Sequence, residues 1–153
     1  MRKSKVITIA ATFWVLVTGF ASAKEIYPFD LVKKQPYKAI WGQEVWREVR
    51  DKNDDWLKGA GGVATPLEPV IIGSQKYQRA TVCEPHNCSD NIIYFLINSR
   101  KLVGIQFKHN DNGYLNGYLN VIRYGSRSRI EENYLINWYK RDQQKLEAML
   151  EKP

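Results

Sequence analysis

Cysteine and histidine are scarce in this chain, which contains two of each among its 153 residues. The sequence also lacks the G-x-S-x-G, HExxH, P-loop and dinucleotide-binding patterns, by which a nucleophile, a catalytic metal or a bound nucleotide is usually recognised. Carboxylates are present, but their spacing pairs no two of them for acid–base catalysis. We therefore expect a protein that is not an enzyme and that has no cofactor and no metal site.

Charge of one sign is not concentrated anywhere in the sequence. The chain has 23 Lys and Arg against 16 Asp and Glu, and three of the basic residues lie before residue 24, which leaves 20 against 16, or +4, for residues 24–153. In that part basic and acidic residues alternate, as in Arg47-Glu48 and Arg141-Asp142. Because nucleic-acid-binding domains usually carry a basic patch or stripe, this pattern argues against a nucleic-acid partner.

One long apolar run is present, and it lies at the start of the chain. Three basic residues among the first five precede the nearly continuous apolar segment Val6–Phe20, and Ala21-Ser22-Ala23 follows it. The run is shorter than the roughly 20 residues that span a membrane, and it ends in the small residues typical of a cleavage site. We predict a signal peptide at residues 1–23, a single periplasmic domain at residues 24–153, and no membrane attachment after cleavage.

Two segments have the periodicity of amphipathic helices. In residues 37–50, apolar side chains recur every four positions from Tyr37 to Val49. In residues 129–151, the predicted apolar side consists of Ile130, Tyr134, Trp138, Leu146, Met149 and Leu150.

The region between these helices has the pattern of hairpin-connected strands. Gly and Pro are frequent in residues 53–69, which predicts a loop. In residues 102–108, Leu102, Gly104, Gln106 and Lys108 alternate with Val103, Ile105 and Phe107, a pattern typical of a strand with one face exposed. Residues 110–117 are interpreted as a long turn, and Gly73-Ser74 and Ser99-Arg100 as tight turns. The remaining strands are predicted at 70–72, 76–82, 91–98 and 118–124. The expected fold is α+β, an antiparallel sheet of about five strands flanked by helices.

The two cysteines, Cys83 and Cys88, enclose a segment of four residues. An even cysteine count in an exported chain favours a disulfide, and the C-x4-C spacing differs from that of redox CxxC motifs. A bridge this short stabilises the fold by only about 2 kcal/mol, so its more economical purpose is to fix the loop, which Pro85 stiffens further. A rigid loop loses less conformational entropy when it binds a partner.

His86 lies at the tip of this loop. A protonated imidazole donates from both ring nitrogens and can therefore bridge two carboxylates of a partner protein. Two alternatives remain open at this stage. The bridge could simply tie together a strand connection, or Cys83, His86, Cys88 and His109 could bind zinc.

The segments Trp56-Leu57-Lys58-Gly59, Gly61, Thr65-Pro66 and Cys83-Glu84-Pro85-His86-Asn87-Cys88, together with the export signal, resemble the Ivy family, bacterial inhibitors of vertebrate (C-type) lysozyme. The resemblance is strongest over residues 56–107. It implies a periplasmic α+β protein with a protruding disulfide loop of the form C-K-P-H-D-C. We expect the protein to be a monomer or a homodimer. It also implies that His86 enters the cleft of a lysozyme or a related muramidase and engages its two catalytic carboxylates.

The predicted target-binding residues are Glu84, Pro85, His86 and Asn87, and two of them depart from the family's pattern. Glu84 stands where the family has Lys, and Asn87 stands where it has Asp. These departures leave two alternative functions open. One is a paralogue that acts on a different muramidase or a lytic transglycosylase, and the other is a periplasmic metal-binding protein or enzyme that uses the same loop.

Overall fold

The computed structural model describes residues 24–110, 118–126 and 128–151. The predicted signal peptide and residues 111–117 of the predicted long turn lie outside the described residues. The described chain has helices α1 (Pro28–Leu31), α2 (Tyr37–Glu44) and α3 (Arg129–Leu150) and two 3₁₀ segments, Trp46–Glu48 and Lys52–Ala60. Its strands are β1 (Val63–Ala64), β2 (Glu68–Ile72), β3 (Gln75–Cys83), β4 (Asn91–Ile97), β5 (Leu102–Asn110) and β6 (Tyr118–Gly125).

The strands form one antiparallel sheet in the order β1–β3–β4–β5–β6, and β2 also pairs with β3. Because β4 occupies one edge of β3, β1 and β2 share the other edge, with Val63 opposite Cys83 and Ile72 opposite Gln75. Pro69 in β2 is tolerated because this strand lies at the sheet's edge. The predicted α+β class and antiparallel sheet are confirmed, with six strands where about five were expected.

The sheet is covered on both faces. Along β4, Ile93, Phe95 and Ile97 pack with the core formed by the N-terminal helices, whereas Tyr94 and Leu96 pack with the core under α3. This alternation follows from the period of two in a strand. The result is a three-layer arrangement of N-terminal helices, sheet and α3.

The prediction that the strand at 102–108 has one exposed face is wrong. Leu102 to Phe107 are all buried, including the polar Gln106, which is 0% exposed. Gln106 is tolerated there because its amide is bonded to Asn91 Oδ1 at 2.7 Å and to the Tyr124 hydroxyl at 2.6 Å. The alternation of residue types thus distinguishes the two faces of β5, but both faces are buried.

The predicted first helix is shorter than residues 37–50. The α-helical geometry ends at Glu44, and a 3₁₀ turn replaces its last part. Trp41 anchors the helix, since its indole N–H donates to the carbonyl of Leu57 at 2.8 Å. Val45, which is fully buried, caps the C-terminus of α2, and its φ of −113° departs from α-helical geometry.

The predicted loop at 53–69 is also only partly correct. It contains most of the 3₁₀ segment Lys52–Ala60, the strand β1 and the start of β2. The 3₁₀ segment begins where the Asp51 carboxylate accepts from the Asn53 amide, and its Leu57 and Ala60 are fully buried. Burial of these two side chains orders a segment whose composition predicts a loop.

Helix α3 has the predicted extent, but its buried face is shifted by one residue from the predicted stripe. Glu131, Leu135 and Tyr139 are buried, whereas Ile130 is 66% exposed. The other residues at the C-terminal end of the predicted stripe, Leu146, Met149 and Leu150, are exposed as well. In the part of the chain that the structure describes, no helix has both the length and the apolar character that crossing a membrane requires.

Candidate functional site

The candidate site is the connection between β3 and β4, which the disulfide closes at its base. Cys83 and Cys88 are bonded to each other with their Cα atoms 4.9 Å apart. Cys83 is buried at the end of β3, and Cys88 is exposed. The predicted disulfide is therefore present. Since zinc binds cysteine as a thiolate, the alternative zinc site would lack two of its four ligands in this oxidised form.

The loop is a tight turn with His86 at its tip. The Asn87 amide donates to the carbonyl of Glu84 at 3.0 Å, which closes a four-residue turn. Pro85 occupies its second position, and His86 occupies the third with φ 65°, the arrangement typical of a type II turn. Both side chains are exposed. A positive φ is uncommon outside glycine, so the closed loop holds His86 in a conformation that few side chains adopt freely.

The carboxylate of Glu84 is bonded inside the loop. It accepts from Asn87 Nδ2 at 2.8 Å and from Asn91 Nδ2 at 3.1 Å. The two positions at which the loop departs from the C-K-P-H-D-C pattern therefore contact each other. Two side-chain amides thus hold the Glu84 carboxylate at the loop base.

A buried polar network continues from this carboxylate into the core. Asn91, 1% exposed, also donates to Asp54 Oδ1 at 2.9 Å. Its own Oδ1 accepts from Gln106, and Gln106 in turn accepts from the hydroxyl of Tyr124. Each of these buried groups thus has a partner, which is the condition for keeping polar atoms inside a core.

Lys108 balances the acidic end of this network. Its Nζ lies 2.7 Å from Asp51 Oδ2 and 3.3 Å from Asp54 Oδ1. Burial works against the ammonium charge, but the hydrogen bond to Asp51 and the field of Asp54 outweigh it and raise the pKa of Lys108. The hydrogen bond from Lys108, followed by the one from the Asn53 amide, lowers the pKa of Asp51. Lys108 and Asp51 therefore stay ion-paired at neutral pH.

Trp56 and Thr65, which carry part of the resemblance, pack with the neighbouring Gly62 around the base of the loop. A Cβ atom on Gly62 would lie 2.1 Å from the carbonyl oxygen of Cys83 and 2.8 Å from the ring of Trp56. Thr65 accepts from the amide of Thr81 in β3 at 2.9 Å. These contacts fix the end of β3, and hence the first cysteine of the loop.

No family model matches the chain. Two relatives are named as inhibitors of vertebrate lysozyme. They come from Escherichia coli strains K12 and O157:H7, and each is 30% identical over 89 residues, which is 58% of this chain and 54% of the relative. An uncharacterized protein of Yersinia pestis is 30% identical over 72 residues, 47% of this chain and 46% of the relative. The chain thus spans about half the length of the curated relatives it matches, and its similarity to lysozyme inhibitors is distant.

The structure brings the predicted site residues Glu84 to Asn87 together in one closed loop, but His109 is directed elsewhere. Its ring nitrogen Nε2 lies 3.1 Å from the hydroxyl of Tyr139 in α3, while its backbone amide donates to the carbonyl of Asp90 at 2.7 Å. His109 therefore supports the connection that follows the loop through its backbone.

Sequence reasoning did not identify Asn91, Asp54, Gln106 or Lys108 as neighbours of the site. A signal for two of them exists in the sequence. Asn91 opens an otherwise apolar strand, and Gln106 interrupts an apolar one. A polar side chain in such a position indicates either an exposed face or a buried hydrogen-bond partner, and only the fold distinguishes the two.

Proposed function

We propose that this chain inhibits a lysozyme by inserting the Cys83–Cys88 loop into the enzyme's catalytic cleft, with His86 as the central contact. We further propose that it acts in the periplasm after removal of residues 1–23. The observation that carries the proposal is the exposed His86 at the tip of a disulfide-closed turn, held at φ 65°. Distant similarity to two inhibitors of vertebrate lysozyme supports the choice of target.

The chemistry of the target fits such a contact. Lysozymes hydrolyse glycosides with one protonated and one ionised carboxyl group. A protonated imidazole donates from both ring nitrogens and can engage both carboxyl groups at once. The loop would then exclude the sugar and hold the two carboxyl groups in an unproductive state.

The orientation of Glu84 removes an objection to this mode of binding. A carboxylate on the loop would repel the carboxylates of the enzyme if it faced them. In this structure it is bonded to the amides of Asn87 and Asn91 at the loop base. We therefore expect His86 to be the ionisable group that the loop presents to the cleft.

Replacement of His86 tests the mechanism directly. Truncating a central anchor of an interface costs about 2 kcal/mol or more, so His86→Ala should raise the inhibition constant at least about 30-fold. His86→Gly should have the same effect, because glycine accepts the positive φ and the variant removes the ring without straining the turn. The measurement is the inhibition constant of residues 24–153 against a C-type lysozyme in a cell-wall hydrolysis assay.

Lys76→Ala is the matched control, since Lys76 is exposed at the opposite end of β3. It should inhibit like the native protein. An unchanged inhibition constant for both His86 variants would refute the insertion mechanism.

A panel of enzymes identifies the target. The native protein should be titrated, with and without reductant, against C-type lysozyme, other lysozyme classes and a lytic transglycosylase. Inhibition confined to one of the other enzymes would move the target to that enzyme, against which the two His86 variants then test the loop mechanism. If the oxidised protein inhibits no member of the panel, the proposed function fails.

A further inference from the structure

We propose that Asn91 is the positioning residue of the inhibitory loop. The inference rests on the proposed function and deepens it. The side-chain amide of Asn91 is hydrogen-bonded to the core and to Glu84, and Glu84 is hydrogen-bonded to Asn87, the neighbour of His86. These bonds hold the loop in a fixed position relative to the core. Asn91 lies outside the disulfide-closed segment and is 1% exposed, so it is not itself a contact for a partner.

The backbone of Asn91 closes the loop at its base. Its amide donates to the carbonyl of Asn87 at 3.0 Å, and its carbonyl accepts from the amide of Glu84 at 2.9 Å. The chain therefore returns from the loop into β4 at a fixed point opposite the start of the turn.

The side chain of Asn91 adds a second set of bonds, and their directions are fixed by its neighbours. Nδ2 donates to Glu84 Oε2 at 3.1 Å and to Asp54 Oδ1 at 2.9 Å, while Oδ1 accepts from Gln106 Nε2 at 2.7 Å. An amide has two donor hydrogens and a carbonyl oxygen, and all of these groups are used here. Rotating the amide by half a turn would set its oxygen against two carboxylates, so one orientation is selected.

Glu84 is consequently held between two amides. Its Oε2 atom accepts from Asn91 on the core side and from Asn87 on the loop side. Since Asn87 directly follows His86, this carboxylate joins the buried network to the tip of the loop. The disulfide fixes the ends of the loop, whereas this chain of bonds fixes the turn inside it.

The test variant is Asn91→Asp, which keeps the shape and the acceptor for Gln106 but removes both donors and sets a third carboxylate beside Glu84 and Asp54. We expect the backbone amide of Asn87 to exchange with solvent about tenfold faster, as loss of a hydrogen bond to a charged group implies. We expect the inhibition constant to rise about tenfold, because the loop must then be ordered on binding. Amide exchange is measured by NMR and inhibition by the hydrolysis assay.

Tyr124→Phe is the matched control. It removes the 2.6 Å bond from the Tyr124 hydroxyl to Gln106 at the far end of the same network, so it disturbs the core without touching the loop. Its thermal stability should fall, but Asn87 exchange and inhibition should remain as in the native protein. The double variant Glu84→Gln with Asn91→Asp exchanges the amide and the carboxylate of this hydrogen-bonded pair, so that residue 84 can donate to residue 91. It should recover part of the protection from exchange that the Asn87 amide loses in Asn91→Asp.

Each outcome decides the inference. Faster exchange and weaker inhibition in Asn91→Asp, but not in Tyr124→Phe, support it. Unchanged inhibition in a folded Asn91→Asp protein overturns it, as does an equal loss in Tyr124→Phe, which would mean that Asn91 only stabilises the core. If Asn91→Asp does not fold, Glu84→Ala removes the same hydrogen bond at its half-buried partner. This variant is assessed by the same two measurements, amide exchange and inhibition. A native protein that inhibits no enzyme of the panel defeats the proposed function instead, and the exchange data alone then decide whether Asn91 orders the loop.

Discussion

At the scale of single residues, Gly62 shows how a small side chain controls the position of the loop. A Cβ atom there would lie 2.1 Å from the Cys83 carbonyl oxygen, a backbone atom that cannot move aside. Gly62→Ala must therefore displace the end of β3. We expect the free energy of unfolding to fall by about 2 kcal/mol, measured by urea denaturation, as for other overpacked sites.

The adjacent glycine provides the control for this prediction. A Cβ on Gly61 would meet its nearest neighbours, the carbonyl oxygens of Lys58 and Trp56, at 3.4 Å, and its φ of −79° suits any residue. Gly61→Ala should change the free energy of unfolding by no more than about 0.5 kcal/mol. Equal effects of the two substitutions would contradict the steric explanation.

Some residues of the site can be predicted from the sequence, and others cannot. Cys83, Pro85 and His86 are recognisable because the cysteine spacing and the proline act locally. The roles of Gly62 and Asn91 are not recognisable in this way, because they depend on residues brought close by strand pairing. Gly62 faces Cys83, which lies 21 positions later, and Asn91 meets Asp54, which lies 37 positions earlier.

At the scale of elements, the disulfide loop combines a small effect on folding with a larger expected effect on binding. The bridge encloses few residues and should stabilise the fold by about 2 kcal/mol. Replacing both cysteines by alanine should lower the free energy of unfolding by about that amount. The binding free energy should fall by more, because the loop that carries His86 is then no longer preorganised.

Both quantities can be measured on the same protein, by urea denaturation and by calorimetric titration with the target enzyme. A loss in unfolding free energy that exceeds the loss in binding free energy would show that the bridge serves mainly the fold.

The elements also show where sequence patterns are sufficient and where they are not. Strands β3 to β6 were predictable because turn residues separate short apolar runs. The face of α3 was not, since Ile130 continues the apolar stripe and Glu131 breaks it. Glu131 is nevertheless the buried residue, because Tyr77 in β3 and Lys101 in the β4–β5 turn supply hydrogen bonds to its carboxylate. Partners that are distant in sequence decide which side of the helix turns inward.

At the scale of the whole molecule, Glu131 connects helix and sheet through a charge. Its carboxylate accepts from the Tyr77 hydroxyl at 2.7 Å and from Lys101 Nζ at 3.1 Å, and Ser128 also donates to it. Burial opposes ionisation, but together the hydrogen bonds of Ser128, Tyr77 and Lys101 prevail and lower the pKa of Glu131 to about 2. The fold is therefore expected to lose stability in acid through this group.

The pH dependence of stability follows from the difference between the folded and the unfolded pKa of Glu131. Because the pKa of Glu131 is lower in the folded protein than its ordinary value of 4.5, its contribution is complete above that value and is lost as the pH falls toward about 2. The shift corresponds to about 3 kcal/mol at neutral pH. Glu131→Gln should therefore be less stable than the native protein by up to that amount at pH 7, and the difference should vanish near pH 2.

Glu147→Gln, an exposed position on the same helix, is the control, and its free energy of unfolding should equal that of the native protein at every pH. Urea denaturation between pH 2 and 7 measures these differences, and a constant gap between native protein and Glu131→Gln across that range would disprove the assignment of the acid sensitivity to this carboxylate.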